Sequence, residues 1–319
     1  MRPRPVRHLL AGMTSALVLV SGCTAAYDPT PVPSATTTTT STPTATASST
    51  PAACQNATTS YAPASLASQA DDPTIRAIRA RGYLRVGVSA DTLLFGARNP
   101  LTGGIEGFDI DLARAVADYL LGDPTKVQLV VITAADRIPA LKDGRVDMVA
   151  RNMTMTCDRW KELAFSAEYY RAGQKVLVTK GATAVRLEDL AGKRVCAPTG
   201  TSSLTKLRTY AGVVAVSAAT HTGCLVLLQQ GKIDAITGDD TVLAGLAAQD
   251  PYAVVTTAAA VTAEPYGLGF KADAVGLVRA VNGLLDAMKS DGRWTQIYTR
   301  WLAGPLGPAP KPPASVYGR

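Results

Sequence analysis

The chain has 319 residues, 47% of them hydrophobic and 18% charged, which suffices for about two domains with buried cores. A formal charge of +7, scattered along the chain, is too mild to argue for nucleic acid as a partner. Two histidines, and five cysteines without a CxxC spacing, argue against a metal site, and no phosphate-binding loop or nucleophile-base pairing points to a cofactor or to catalysis.

Arg2, Arg4 and Arg7 precede an apolar run from Leu9 to Val20. That run is about half the length that spans a bilayer, so residues 1–22 read as a signal peptide rather than a membrane helix. The sequence Val20-Ser21-Gly22-Cys23 resembles the lipobox of bacterial lipoproteins, which implies that Cys23 carries a lipid. Residues 23–53 are Thr, Ser, Pro and Ala with almost no charge and are expected to form a disordered tether. The folded part is then expected outside the cytoplasm, anchored to the outer face of the cell membrane. There the even set Cys54, Cys157, Cys196 and Cys224 suggests disulfides. Three pairings are possible. Cys54–Cys157 with Cys196–Cys224 is preferred, because the second pair falls within one segment of the chain.

An N-terminal arm (54–72) leads to a helix at Pro73 to Arg81 and a strand at Leu84 to Val88, then an irregular stretch from Ser89 to Gly104. Gly107 opens a helix whose first turn carries Asp109 and Asp111, as the helix dipole prefers. Val127 to Ile132 and Val146 to Val149 read as strands around a short helix at Asp136 to Lys142, and Trp160 to Phe165 has helical spacing. The stretch Ala150 to Arg159 is rich in hydroxyls and ends in an arginine, a chemistry suited to a carboxylate. A second alternation follows, with strands at Val176 to Val178, Arg194 to Ala197, Val213 to Val216 and Ile233 to Ile236. Helical segments lie at Leu187 to Leu190 and Cys224 to Gln230. Two helices, Ala274 to Ser290 and Arg293 to Leu302, precede a Pro-rich tail at 304–319. Strands alternating with helices at this spacing predict α/β layers with parallel strands.

Gly107-Phe108-Asp109-Ile110-Asp111-Leu112 matches the signature of the family 3 solute-binding proteins of amino-acid ABC transporters. So do Asp136-Arg137-Ile138-Pro139, Gly144-Arg145-Val146-Asp147, Thr154-Met155-Thr156 with Arg159, Gly200-Thr201-Ser202, Gly231-Lys232-Ile233-Asp234-Ala235 and Asp239-Asp240. This resemblance covers about residues 73–303. It implies a periplasmic binding protein type II clamshell, two α/β lobes with two hinge crossings near 171–176 and 262–267. Lobe 1 would comprise 73–172 and the return helices 266–303, and lobe 2 would comprise 176–262. It implies no enzyme activity, an amino acid as ligand, membrane permease subunits as partners and a monomeric state. A cleft enzyme such as a cyclohexadienyl dehydratase is the alternative on the same fold, and an amino-acid sensor is another.

Carried over position by position, the resemblance has Arg159 clamp the ligand α-carboxylate, with Thr154, Asn152, Ser202 and Thr201 donating to it. Asp239 accepts from the α-ammonium unless it only caps the following helix. Arg137 and His221 face a second carboxylate, which points first to glutamate or aspartate and next to glutamine or asparagine. Arg137 could instead pair with Asp136 or Asp143, and His221 could lie on the surface. Ser89 stands where some acidic-ligand binders have another arginine, and Arg151 is the candidate to supply that missing charge.

Overall fold

The computed structural model describes residue 54 and residues 56–319; the leader, the Cys23 lipid site and the tether lie outside the described residues. Strand β1 (Thr59–Ser60) begins the arm. Helix α1 (Pro73–Arg81) starts where sequence chemistry dictates: the Asp72 carboxylate accepts from the N–H groups of Thr74 and Ile75, both at 3.0 Å, and Pro73 occupies the first turn. Strand β2 (Leu84–Val88) follows. The stretch expected to be irregular instead forms a small antiparallel sheet of β3 (Asp91–Thr92), β4 (Gly96–Arg98) and β5 (Ile105–Glu106). Gly107, at φ 141°, turns this sheet into α2 (Phe108–Leu121); a Cβ there would stand 2.4 Å from the Phe95 backbone, so a side chain is excluded.

β6 (Val127–Val131), α3 (Arg137–Lys142) and β7 (Met148–Val149) lead to α4 (Cys157–Trp160) and β8 (Leu163–Phe165). The helical spacing expected from Trp160 to Phe165 is therefore corrected: α4 ends at Trp160, and Leu163–Phe165 pairs antiparallel with a strand about a hundred residues later. Long-range pairing overrides the local apolar period there.

β9 (Tyr170–Thr179) leaves this region and becomes a member of the second sheet. That sheet also takes β10 (Arg194–Pro198), β11 (Val214–Ala218), β12 (Ala235–Asp239) and β13 (Ala253–Val255). Helices α5 (Ser202–Leu207), α6 (His221–Gln229) and α7 (Asp240–Gln249) alternate with them. β14 (Ala263–Tyr266) runs back antiparallel to β9, with Ala263 opposite Gly173 and Tyr266 opposite Tyr170. β15 (Gly269–Lys271) then enters the first sheet between β7 and β8. Helices α8 (Val275–Ser290) and α9 (Arg293–Trp301) pack on the first lobe. The Pro-rich tail is not featureless: it opens with α10 (Ala303–Leu306) and ends in β16 (Val316–Tyr317), which pairs parallel with β1.

The result is two α/β lobes joined by two adjacent crossing strands, β9 and β14. The first sheet has the order β6-β2-β7-β15-β8 and the second β11-β10-β12-β9-β13. Each core follows from strand alternation. In the second sheet Leu177, Cys196 and Ile236 face one apolar cluster, and their neighbours Val176, Val195 and Ala235 face the other. The preferred disulfides are present. Cys196–Cys224 joins β10 to α6 within the second lobe, and Cys54–Cys157 ties the arm to α4.

Candidate functional site

In both lobes the chain leaves the C-terminal ends of parallel strands toward the same crevice, the place where open α/β sheets hold ligands. Segments after β6 and β7 supply Arg137, Arg151, Asn152 and Thr154. Segments after β10 and β11 supply Thr201, Ser202 and His221, and the last residue of β12 is Asp239. These eight expected residues line one small interlobe cavity of about 30 Å³, together with Thr92 and Ser203 among others.

The lobes meet across this cavity. The Gly200 carbonyl accepts from Arg137 Nη2 at 2.9 Å and from Arg159 Nη2 at 3.1 Å. Thr154 and Ser202 hydroxyls lie 3.3 Å apart, and Thr222 Oγ1 donates to the Asp91 carbonyl at 3.0 Å. A Cβ on Gly200, which has φ 79°, would sit 2.6 Å from Ala135 Cα, so backbone touches backbone at the point of closure.

Two expected residues stand elsewhere. Arg159 borders an adjoining groove shared with Glu264, and reaches the cavity wall through its Nη1 bond to the Thr154 carbonyl at 2.6 Å. Ser89 does not line the cavity; its hydroxyl lies against Asp91 Oδ1 (2.9 Å) and against Oγ1 of the lining residue Thr92 (2.8 Å).

Arg137 forms neither ion pair considered for it: Asp136 accepts from Thr133, and Asp143 pairs with Arg145. Its guanidinium instead collects four carbonyls, those of Ala134, Arg151, Asn152 and Gly200. The Arg151 side chain, by contrast, has among the described residues one hydrogen bond, from Nε to the Ile132 carbonyl at 2.8 Å, which leaves its terminal amines for the cavity. His221 is the first residue of α6, with Nε2 buried and unpartnered. Burial, then the Arg151 charge, lowers its pKa to about 4, against the opposing pull of Asp91 and the Thr237 backbone. The ring is neutral at physiological pH. Asp239 occupies the N-cap position of α7 without making a cap bond. Its carboxylate accepts from Tyr266 Oη at 2.5 Å, with Ser203 Oγ at 3.4 Å. Burial and the nearby Glu264 raise its pKa to about 7, although the Tyr266 hydrogen bond works the other way.

Sequence reasoning missed three acids here. Asp109 was read only as a helix-dipole residue, yet it is 1% exposed, and burial raises its pKa to about 6. Glu264 is 3% exposed and accepts from Ser202 Oγ at 2.7 Å and Thr262 Oγ1 at 2.5 Å. Asp91 acts on both Arg151 and His221. In the sequence Asp109 carries a signal, its place in the glycine-led motif, and Glu264 only its nearness to the second crossing. Among the described residues no group of His, Cys, Asp and Glu could hold a metal ion, and no helix is long and apolar enough to cross a membrane.

Residues 84–304 match the family described as bacterial extracellular solute-binding proteins, family 3. The chain is 38% identical over 231 residues to the ABC transporter glutamine-binding protein GlnH of Bacillus subtilis (strain 168), covering 72% of this chain and 84% of the relative. It is 30% identical over 248 residues to the glutamate-binding protein GluB of Corynebacterium efficiens, covering 74% and 83%. The solved structure of an ancestral arginine-binding protein bound to glutamine superposes with a TM-score of 0.65 at 34% identity, covering 70% of this chain and 98% of that one. A cleft between two α/β lobes and a match along most of the folded part lead to one conclusion: this chain belongs to the bacterial extracellular solute-binding proteins of family 3, the extracytoplasmic amino-acid-binding components of ABC transporters, and is not an enzyme.

Proposed function

We propose that the ligand is an amino acid with a side-chain amide, glutamine first. The observation that carries this reading is the pairing of a neutral imidazole with free donors: His221 and Arg151, whose terminal amines have no hydrogen-bond partner among the described residues, line one cavity. Neutral His221 carries one ring lone pair, which a donor such as an N–H group satisfies. A primary amide offers that N–H to His221 and its oxygen to Arg151. A carboxylate offers no proton, and it also meets the field of Asp91 beside both residues. A buried polar atom left unpaired weakens binding by about 1–3 kcal/mol, a sizeable discrimination. Relatives named as glutamine-binding agree with this choice.

The α-carboxylate is assigned to Arg159 with Thr154, Asn152, Ser202 and Thr201 around it, and the α-ammonium to Asp239. Arg137 then acts through the carbonyls it holds instead of through a second ligand carboxylate. Delivery is to permease subunits in the membrane by a monomer anchored through Cys23, hinging at β9 and β14. Glutamate or aspartate is the second reading, favoured by the positive field of Arg137, Arg151 and Arg159 around the cleft.

Calorimetry with glutamine, glutamate, aspartate, asparagine and arginine, in two buffers of different ionisation enthalpy at pH 8.5, separates the readings. Glutamine should bind most tightly with no net proton uptake. Tighter binding of glutamate accompanied by uptake of a proton, as His221 charges to meet it, would overturn the amide assignment.

A further inference from the structure

The peptide linking Arg151 to Asn152 is gripped from two sides by buried charged groups. Asp109, in the first turn of α2, accepts the Asn152 N–H at Oδ2 (3.0 Å) and the Tyr169 hydroxyl at Oδ1 (2.7 Å). Arg137 donates from Nη1 to the Arg151 carbonyl (3.2 Å) and the Asn152 carbonyl (3.0 Å). Between them Asn152 holds φ at +43°, a left-handed conformation that residues with side chains adopt only when their surroundings enforce it. Asp109 itself does not border the interlobe cavity, and each of its oxygens already has a protein donor. Arg151, one residue before the left-handed turn, does border it.

From this arrangement we infer that Asp109 is a positioning residue for ligand recognition. By accepting the Asn152 N–H it fixes the turn that sends the Arg151 guanidinium toward the ligand side chain, while Arg137 holds the carbonyls of the same turn. The motif Gly107-Phe108-Asp109 thereby couples the start of α2 to the specificity side of the cleft. Gly107 sets the approach of the chain, Phe108 enters the core and Asp109 reaches across to the loop after β7. A buried acid serving only the packing of the first lobe would need no partner in that loop. The inference rests on the reading that Arg151 contacts the ligand side chain, but not on whether that side chain is an amide or an acid.

The test is a double-mutant cycle on the whole protein: wild type, Asp109→Ala, Arg151→Met and the double variant. Kd is measured by calorimetry at a temperature where circular dichroism shows each variant folded. Asp109→Ala should weaken binding about tenfold or more in the wild-type background and less than about threefold in the Arg151→Met background, because residues acting as one unit are not additive. Asp109→Asn, whose amide oxygen can still accept the Asn152 N–H, should stay within about threefold of wild type. An equal loss in both backgrounds, a lowered melting temperature with unchanged Kd, or Asp109→Asn behaving like Asp109→Ala would each overturn the inference. If Asp109→Ala does not fold, Tyr169→Phe, which strips one donor from the same carboxylate, enters the cycle in its place with the same non-additivity expected. The cycle is run with whichever amino acid the wild type binds. A wild type that prefers glutamate refutes the amide reading alone, and only the coupling energy decides the role of Asp109.

Discussion

Substituting alanine for Gly200 tests the closed geometry directly. A Cβ at that position would lie 2.6 Å from Ala135 Cα, 2.8 Å from Ala135 N and 3.1 Å from Ala134 C, and none of these backbone atoms can rotate away. Restoring ordinary contact requires the two loops to part by nearly an ångström. That separation also stretches the bonds from Arg137 and Arg159 to the Gly200 carbonyl. Two penalties follow and they fall on different equilibria. The left-handed φ of 79° burdens alanine whether the lobes are open or closed, so its strain of about 1–2 kcal/mol lowers folding stability but leaves affinity alone. The clash exists only on closure, and overpacking of this kind costs about 1–3 kcal/mol, which converts to a Kd about 5- to 150-fold weaker. Calorimetry gives the second term, and thermal unfolding without ligand gives the first. A Kd within about twofold of wild type would show that the lobes do not close onto Ala135 when ligand binds, and the closure argument would fail.

The Asp239 carboxylate should make binding pH-dependent. Its pKa, raised to about 7 before the ligand ammonium arrives, means that binding below pH 7 must release a proton, so affinity should fall as pH drops from 8 to 6 and level off above 8. A flat profile between 6 and 8 would remove Asp239 from the ammonium site. For the fold alone the sign is opposite. Asp239 and Asp109, both with raised folded pKa values, contribute stability that is fully present below pH 4 and lost as pH rises through about 6 to 7, so the ligand-free protein should gain from these two groups on mild acidification. Removing Cys54–Cys157 by paired serine substitution opens a loop of 103 residues and removing Cys196–Cys224 one of 28; loop-closure entropy sets losses of about 4.7 and 3.6 kcal/mol as upper values, and denaturant titration should rank them in that order. Arg159→Lys keeps the charge but cannot span the Thr154 and Gly200 carbonyls, and should weaken binding about tenfold or more; an affinity equal to wild type would mean that a point charge suffices.

Much of the fold was legible because local chemistry and tertiary need agree. Asp72-Pro73 at one end and Gly82 at the other set α1 to the residue, and the apolar runs of β2, β6 and β10 fall where expected. Disagreement came where pairing is long-range. Leu163–Phe165 is a strand only because β15 lies beside it, and the tail gains β16 only because β1 offers an edge. In the cleft, residue types that suit a charged ligand did converge, eight of them on one cavity. Their partners were another matter. Arg137 was expected to meet a carboxylate and meets four backbone carbonyls, which carry no residue identity and so leave no trace in a sequence. His221 was placed before a helix expected at Cys224, whereas the Thr220 hydroxyl caps the helix three residues earlier by accepting the Gly223 N–H, and so fixes the ring within its first turn.

Backbone partners also explain how so many opposite charges coexist beside the cleft without cancelling. Arg137, Arg151 and Arg159 all donate to carbonyls. The acids close by are held by other neutral groups: Asp109 by Tyr169 and the Asn152 N–H, Asp239 by Tyr266, and Glu264 by Ser202 and Thr262. Among the described residues none of these six forms an ion pair with another. A direct bidentate pair between, say, Arg159 and Asp239 would be strong, and a zwitterionic ligand would have to break it before binding. Carbonyls and hydroxyls hold the same side chains in place with bonds that are easier to exchange, so in the proposed binding mode Arg159 remains available to a carboxylate and Asp239 to an ammonium. The price is the burial of charge without full pairing, visible in the raised pKa values of Asp109 and Asp239 and the lowered values of the three arginines. In the proposed binding mode an amino acid relieves that strain at Arg159 and Asp239 at once, which neither a simple amine nor a simple acid can do.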